Sequence, residues 1–358
     1  MLLDRVAVLE RLSCAFGVSG AEKEVMVELE ALLSGQYAIE TDRMGNKIVK
    51  KPGIEAAPRI LLVGHADEVG FMVHSITPQG YLAFVPIGSW IPASVLGMPV
   101  RILGKEGYVD GLIGALPPHH QKKGSPQGVP ELEDMVMDIG AKDPKEVKET
   151  FGIYPGAMAA PMPLFTRMKN DRVLMGKAWD DRAGCALLVE LLLTFSGKAL
   201  PNTIWGAVTV QEEVGSRGAR TVADHIRADM ALVLEGAPAD DYPGATRWNP
   251  QSAMGKGVQI RCFDPSMIGN QGLRDFLIDR AEKESIPYQV AVRRSGGTDA
   301  GVIHVSGIGI PTAVLAIPVR YAHNGLGMID LDDYAAALRL LCSAVARIDQ
   351  HLFLSFLP

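Results

Sequence analysis

Residues 59–73 read RILLVGHADEVGFMV, and the pattern changes partway along. Ile60–Val63 is a short, continuous apolar run, the kind that suits a strand buried on both faces of a parallel sheet. It ends in GHADE, which delivers His65, Asp67 and Glu68. Similar runs recur downstream in TIWGAVTVQEE (203–213), MALVLEGAPADD (230–241) and PTAVLAIPVRYAH (311–323). Helical stretches lie between them, over Asp181–Phe195 and Ala219–Arg227. Two helices are expected before them, within Met1–Gly35, where Val25, Leu29, Leu32 and Leu33 recur at helical spacing. One long amphipathic helix, begun by Asp330 or Asp332, is expected to close the chain. Strand and helix alternating at this spacing predict an α/β domain, with a mixed, largely parallel sheet flanked by helices.

From about Phe71 to Asp171 the pattern differs. Period-two pieces such as YLAFVPI (81–87) and MPVRILGKEGYVDGLIGAL (98–116) alternate with glycine and proline, and only DPKEVKETF (143–151) reads as a short helix. This segment is expected to be an inserted module of short strands. The domains expected are therefore a discontinuous α/β unit, 1–70 with 172–358, and a β-rich insert, 71–171. Within the insert, residues 119–134 read as an exposed loop.

Composition excludes several classes. The 358 residues are 47% hydrophobic and 21% charged, with formal net charge −6 and no basic stripe, which argues against a nucleic-acid partner. The longest apolar run, Ala186–Phe195, is interrupted by Glu190, so no segment is expected to span a membrane. Asp4, Arg5 and Glu10 enter too early for a signal peptide. Cys14, Cys185, Cys262 and Cys342 lie far apart and show no metal-binding spacing; free thiols in a reducing cytoplasm are the reading.

The chemistry gathers where the apolar strands end. Ligands in open α/β sheets bind at the carboxyl ends of strands. Those ends carry His65, Asp67 and Glu68, then Glu212 and Glu213, then Glu235, and finally Arg320 and His323; Asp180 and Asp181 precede a helix. Imidazole and carboxylate without thiolate suit Zn, Mn or Co. Two imidazoles and at least three carboxylates suffice for two ions, and Asp180, between the His65 and Glu213 segments, is the natural bridge. Glu212 and Glu213 can serve one site only where the strand has turned, which Gly215 permits. One of the pair can then bind metal while the other acts as general base on a water between the ions. Asp67 could hold the second nitrogen of His65. The stretch SGGTDAG (295–301) is either a glycine-rich turn or brings Thr298 or Asp299 to the site. Arg320 pairs with a site carboxylate or with substrate. His74, His119, His120, His225, His304 and His351 fit no ligand spacing.

As a set, HADEVGFMV, GKAWDDRAGCALLVELL, VQEEVGSRGA, LEGAPADDYPG, GGTDAG and RYAHN resemble, in order, the motifs of the M42 family of glutamyl and tetrahedral aminopeptidases, which are dinuclear metalloenzymes. IGALPPH and MVMDIGAKDPKEV in the insert match as well. The resemblance implies a peptidase α/β domain carrying an inserted β-barrel-like domain. It implies that His65, Asp180 and Glu235 bind one divalent ion, and Asp180, Glu213 and His323 the other. Glu212 would be the general base and Asp67 the carboxylate that supports the His65 ligand, with a cis peptide after Asp180. The cofactors expected are two ions of Zn or Co, with Mn as a further choice. The partners expected are peptides with a free N-terminus and copies of the chain itself, as dimers assembling into dodecamers through the insert. Glu235 stands where many relatives have Asp, and Asn324 where they often have Ser or Thr. Two other readings compete: an endoglucanase-type glycoside hydrolase, using the carboxylate pairs alone, and a non-catalytic scaffold.

Overall fold

The computed structural model describes residues 4–116, 128–244 and 249–357. Its centre is a nine-stranded mixed sheet. From one edge the strands run Ile39–Thr41, Lys47–Lys51, Thr203–Thr209, Arg59–His65, Met230–Pro238, Thr312–Val319, Val258–Asp264 and Met267–Ile268; Tyr288–Val292 also pairs with Val258–Asp264. The four central strands, Thr203–Thr209 to Thr312–Val319, are mutually parallel, and the pairings outside them are mostly antiparallel. Residues of opposite parity feed opposite layers. Ile60 and Leu62 join the core under the helices Arg5–Cys14, Lys23–Leu33, Trp179–Thr194 and Leu331–Val345, while Leu61 and Val63 pack toward Arg217–Ile226 and Ala300–Ile303.

Trp179–Thr194 is the central helix, buried along nearly its whole length, although Asp180 and Asp181 have non-helical backbone angles. Glu190, the charge that interrupts its apolar run, is held by Arg5 Nε and Nη2 at 3.0 Å and by the Tyr334 hydroxyl at 2.8 Å. A buried carboxylate needs such partners.

The period-two stretches form a closed antiparallel barrel. Its strands are, in spatial order, Gly70–Ile76, Leu82–Ile87, Val136–Asp138, Gly107–Gly114, Pro99–Gly104 and Met158–Pro161. Phe71, Val73, Leu82, Val100, Ile102, Ile113 and Met137 fill it. The short helix is Pro144–Glu149. Most of the exposed-loop segment, including His119 and His120, lies outside the described residues. A small sheet, Phe165–Arg167, Val173–Gly176 and Gly327–Asp330, stands beside the central helix.

The expected single closing helix is two. Leu331–Val345 is capped by Asp330, whose side chain accepts from Asp332 N–H, and Gln350–Leu354 begins anew from Asp349, which accepts from Leu352 N–H. An aspartate that bonds its own backbone favours a cap over a helix interior. The helix Gln271–Lys283 and the strands Val258–Asp264 and Tyr288–Val292 come in addition to the expected elements. Among the described residues no helix is long and apolar enough to cross a membrane.

Candidate metal centre

Parallel pairing sets the ends of adjacent strands level. Thr209 stands opposite His65, so Val210–Glu213 leaves the sheet beside His65–Glu68. Glu235 lies one strand away on the other side. Gly236, the next residue, lies so close to the main chain of Trp179 and Asp180 that any side chain there would strike it. That close approach seats Asp180 over the strand ends. The Asp180–Asp181 peptide bond is cis.

Two clusters result, and they share Asp180. One ligand atom each from His65, Asp180 and Glu235 lies within 4.8 Å of the others, and the same holds for Asp180, Glu213 and His323. Asp180 Oδ1 is 3.1 Å from His65 Nε2, and Oδ2 is 3.4 Å from His323 Nε2. Glu235 Oε1 is 3.5 Å from His65 Nε2, and Glu213 Oε1 is 3.3 Å from His323 Nε2. Glu212 belongs to neither cluster; its Oε2 stands 4.0 Å from His65 Nε2 and its Oε1 accepts from the Ser216 hydroxyl at 3.3 Å.

Each imidazole is anchored through Nδ1. That of His65 lies 3.1 Å from the Asp67 main-chain carbonyl, nearer than the Asp67 carboxylate at 3.5 Å. That of His323 lies 3.1 Å from the Ser89 carbonyl, two residues beyond the barrel strand Leu82–Ile87. A hydrogen on Nδ1 directs the lone pair of Nε2 into the cluster. Trp90 holds the Ser89 segment: it stacks on Phe71 at 4.8 Å and donates from Nε1 to Gly70 O at 3.0 Å.

The Asp67 carboxylate, whose Oδ1 lies 3.5 Å from His65 Nδ1, also makes three hydrogen bonds. Its Oδ1 accepts from Glu212 N–H at 2.9 Å, and its Oδ2 from Glu213 N–H at 3.0 Å and the Ser19 hydroxyl at 2.7 Å. It therefore fixes the turn that aims both glutamates. Gly215 in that turn has φ +115°, a conformation that favours glycine. Glu22 accepts from Gln211 N–H at 3.2 Å. Ser19, Glu22 and the Ser89 carbonyl are supports that no sequence motif announces.

The remaining candidates resolve as follows. Asp181 turns inward, accepting from His65 N–H at 3.0 Å and Gly184 N–H at 2.9 Å. Thr298 lines the cleft over the cluster, and Asp299, buried, accepts from Thr209 Oγ1 at 2.6 Å. Arg320 pairs with Asp241, bidentate at 2.9 and 2.5 Å, and with none of the cluster's carboxylates. Glu68 lies behind the site on Lys177 and Arg182.

Electrostatics set this cluster apart from a folded core. Burial works against charge on His323, but Asp180 and Glu213 outweigh it and push the imidazole up to about 11. His65 is likewise raised well above the usual imidazole range, with Asp180, Asp67 and Glu235 overcoming burial. Burial, reinforced by Asp180, pushes Glu235 up to about 8. Glu212 is raised well above the ordinary carboxyl range by burial and by Asp299, Glu235 and Glu213. So many acids crowded on two imidazoles, with Glu213 Oε1 buried and without a hydrogen bond, form a donor set that fits divalent cations.

Comparison with known proteins agrees. The family model described as M42 glutamyl aminopeptidase matches residues 45–340. The glutamyl aminopeptidase of Lactococcus lactis is 32% identical, over 97% of this chain and 97% of its own. The lysyl aminopeptidase of Pyrococcus furiosus is 30% identical, over 90% and 92%. Among solved structures, a TET aminopeptidase from a marine sediment archaeon, Thaumarchaeota archaeon SCGC AB-539-E09, superposes with TM-score 0.95 at 38% identity, covering 99% of both chains. The TET1 peptidase of Pyrococcus horikoshii, described as able to assemble into a tetrahedron or a large octahedral shell, gives 0.86 at 28% identity, covering 96% of this chain and all of its own.

Proposed function

Because the chain belongs to the M42 glutamyl aminopeptidase family, we propose that it removes N-terminal residues from peptides at a dinuclear metal centre. One observation carries the reading: Asp180 presents one oxygen to each of two histidine–glutamate pairs. His65, Asp180 and Glu235 would hold one ion and Asp180, Glu213 and His323 the other, with Zn or Co the expected metals and Mn a further choice. Such ions would supply Lewis-acid polarisation of the scissile carbonyl and lower the pKa of a bound water. Glu212, beside both clusters and a ligand in neither, takes the proton from the attacking water. It then returns that proton to the departing amine nitrogen as the carbon–nitrogen bond breaks. Asp67 holds Glu212 and Glu213 in register through their main-chain N–H groups. The substrate's free ammonium lies among the carboxylates. The glycoside-hydrolase alternative leaves both imidazoles without a task.

A panel of aminoacyl chromogenic amides, assayed with Zn, Co and Mn beside N-acetylated controls, tests the reading. Only free-amine substrates should turn over, and a chelator should abolish turnover. Equal cleavage of blocked substrates would exclude exopeptidase action.

Metal loading should also release protons. Without metal, the surrounding carboxylates raise His323 and His65 above the usual imidazole range and burial raises Glu235 above the usual carboxyl range, so protons are expected on these ligands near pH 7. An ion takes only a neutral imidazole or an ionised carboxylate, so binding displaces roughly two to three protons per chain. Acid therefore opposes loading, by on the order of 100-fold in affinity per pH unit for two displaced protons. Titration in buffers of differing ionisation enthalpy measures the number; release of none would contradict the assignment.

We propose further that the chain forms homo-oligomers, dimers building a dodecamer, with 71–171 as the assembly module. The tetrahedral or octahedral shell described for the P. horikoshii structure supports the homo-oligomer. Four free cysteines support a reducing, cytoplasmic setting.

A further inference from the structure

Ser216 lines the cleft over the metal centre and opens the helix Arg217–Ile226. A serine in that place ordinarily caps its helix by accepting from main-chain N–H groups two or three residues on. Here it makes no such bond. Its backbone has φ +49° and ψ +42°, the left-handed region that a residue with a Cβ enters at a cost. The result is a placement. Ser216 N–H donates to the Glu212 carbonyl at 2.9 Å, and the hydroxyl reaches the Glu212 carboxylate, donating to Oε1 at 3.3 Å. Ser216 is only 8% exposed, so this hydroxyl serves the proposed base rather than the helix or the solvent.

Asp299 stands behind it, from a distant part of the chain. It is 1% exposed, and its Oδ1 is buried without a hydrogen bond, while Oδ2 accepts from Thr209 Oγ1. Burial pushes the Asp299 carboxyl up to about 6, against His65 and against the hydroxyls of Thr209 and Ser216 that face it. Ser216 thus sits between two carboxylates with one hydrogen to give. Both attract that hydrogen, and together they hold the side chain on the line between them and off the helix N–H groups. The two oxygens of Glu212 become unequal. Oε1 is tied to Ser216, and Oε2 stands 4.0 Å from His65 Nε2, facing the clusters.

We infer that Ser216 is a positioning residue for Glu212: backed by Asp299, its hydroxyl ties down Oε1 and leaves Oε2 aimed at the attacking water. This rests on Glu212 as the general base, proposed above.

The test is Ser216→Gly in the metal-loaded protein, which keeps the left-handed turn and deletes the hydroxyl. The value of kcat should fall roughly 5- to 50-fold, less than removal of the base itself, because a misaimed carboxylate still takes protons. KM should stay within about twofold, metal content at the parent level and Tm within about 3 °C of the parent. A merely structural serine would move Tm and spare kcat. The decisive readout is the double variant. In a Glu212→Gln background, adding Ser216→Gly should cost less than about twofold, because the hydroxyl acts only through Glu212. Asp299→Asn keeps an acceptor for Thr209 and offers an N–H to Ser216 Oγ, so kcat should hold within about threefold, while Asp299→Ala should approach Ser216→Gly. Unchanged kcat or lost metal in Ser216→Gly, or the full loss persisting in the Glu212→Gln background, would overturn the inference. Equal losses in Asp299→Asn and Asp299→Ala would overturn the part given to Asp299. Near-normal turnover in Glu212→Gln alone would instead overturn the general-base reading beneath it.

Discussion

Replacing Glu212 with glutamine should lower kcat by roughly 10²–10⁴-fold, the usual share of a general base, while metal content stays at the parent level. The geometry separates the two effects. Neither ligand cluster includes Glu212. Its main-chain N–H would still bond Asp67, and the amide oxygen could still accept from the Ser216 hydroxyl. The substitution conserves shape and removes the site that takes up a proton. KM should move less than kcat, because the loss falls on the transition state rather than on binding. Elemental analysis beside steady-state kinetics on one preparation reads both quantities. Near-normal turnover would reject Glu212 as the base; lost metal with lost turnover would make it a ligand.

Asp180→Ala should be harsher still, cutting turnover on the order of 10⁴-fold or more, because it removes the one group common to both clusters. Each would be left with a histidine and a glutamate, short of the three protein ligands such sites ordinarily use. Elemental analysis after dialysis should find about two ions in the parent and at most one in the variant. Thermal unfolding adds a readout independent of activity. A ligand bound only by the folded state raises its stability, so added Zn or Co should shift the parent's Tm upward and the variant's little. Two ions retained in Asp180→Ala would end the shared-aspartate model.

What could be read from the sequence, and what could not, follows from how each signal is encoded. Ile60–Val63 and its counterparts betray the parallel sheet because burial on both faces imposes an unbroken apolar run. The acids and imidazoles at their ends betray the site because the topology brings those ends to one edge. The closing helix was misjudged because apolar spacing continues through Ile348 and Leu352, while the interruption depends on how Asp349 uses its side chain. Helix Gln271–Lys283 has a weak apolar stripe and so little periodicity to find. Of the adjacent acids, the sequence reading takes Asp180 as the bridge, and the structure sends Asp181 to the main chain of His65 and Gly184. The bonds of the Asp67 carboxylate to Glu212 and Glu213 are not legible in the sequence, because main-chain N–H groups leave no trace in residue identity. Ser19 and the Ser89 carbonyl were invisible for similar reasons: one is a common hydroxyl 48 positions from its partner Asp67, the other a backbone atom.

The Ser89 carbonyl bears on how separable the two parts of this molecule are. It lies two residues beyond the barrel strand Leu82–Ile87, yet it anchors the ring of His323, which comes from the far end of the other part. Swapping this barrel for a foreign one, or excising it, would remove the anchor of His323 Nδ1 and leave the ring held only from its Nε2 side, by Asp180 and Glu213. A displacement of the Ser89 segment would therefore be felt at the His323 ring, so the two parts of the chain are mechanically coupled at this contact.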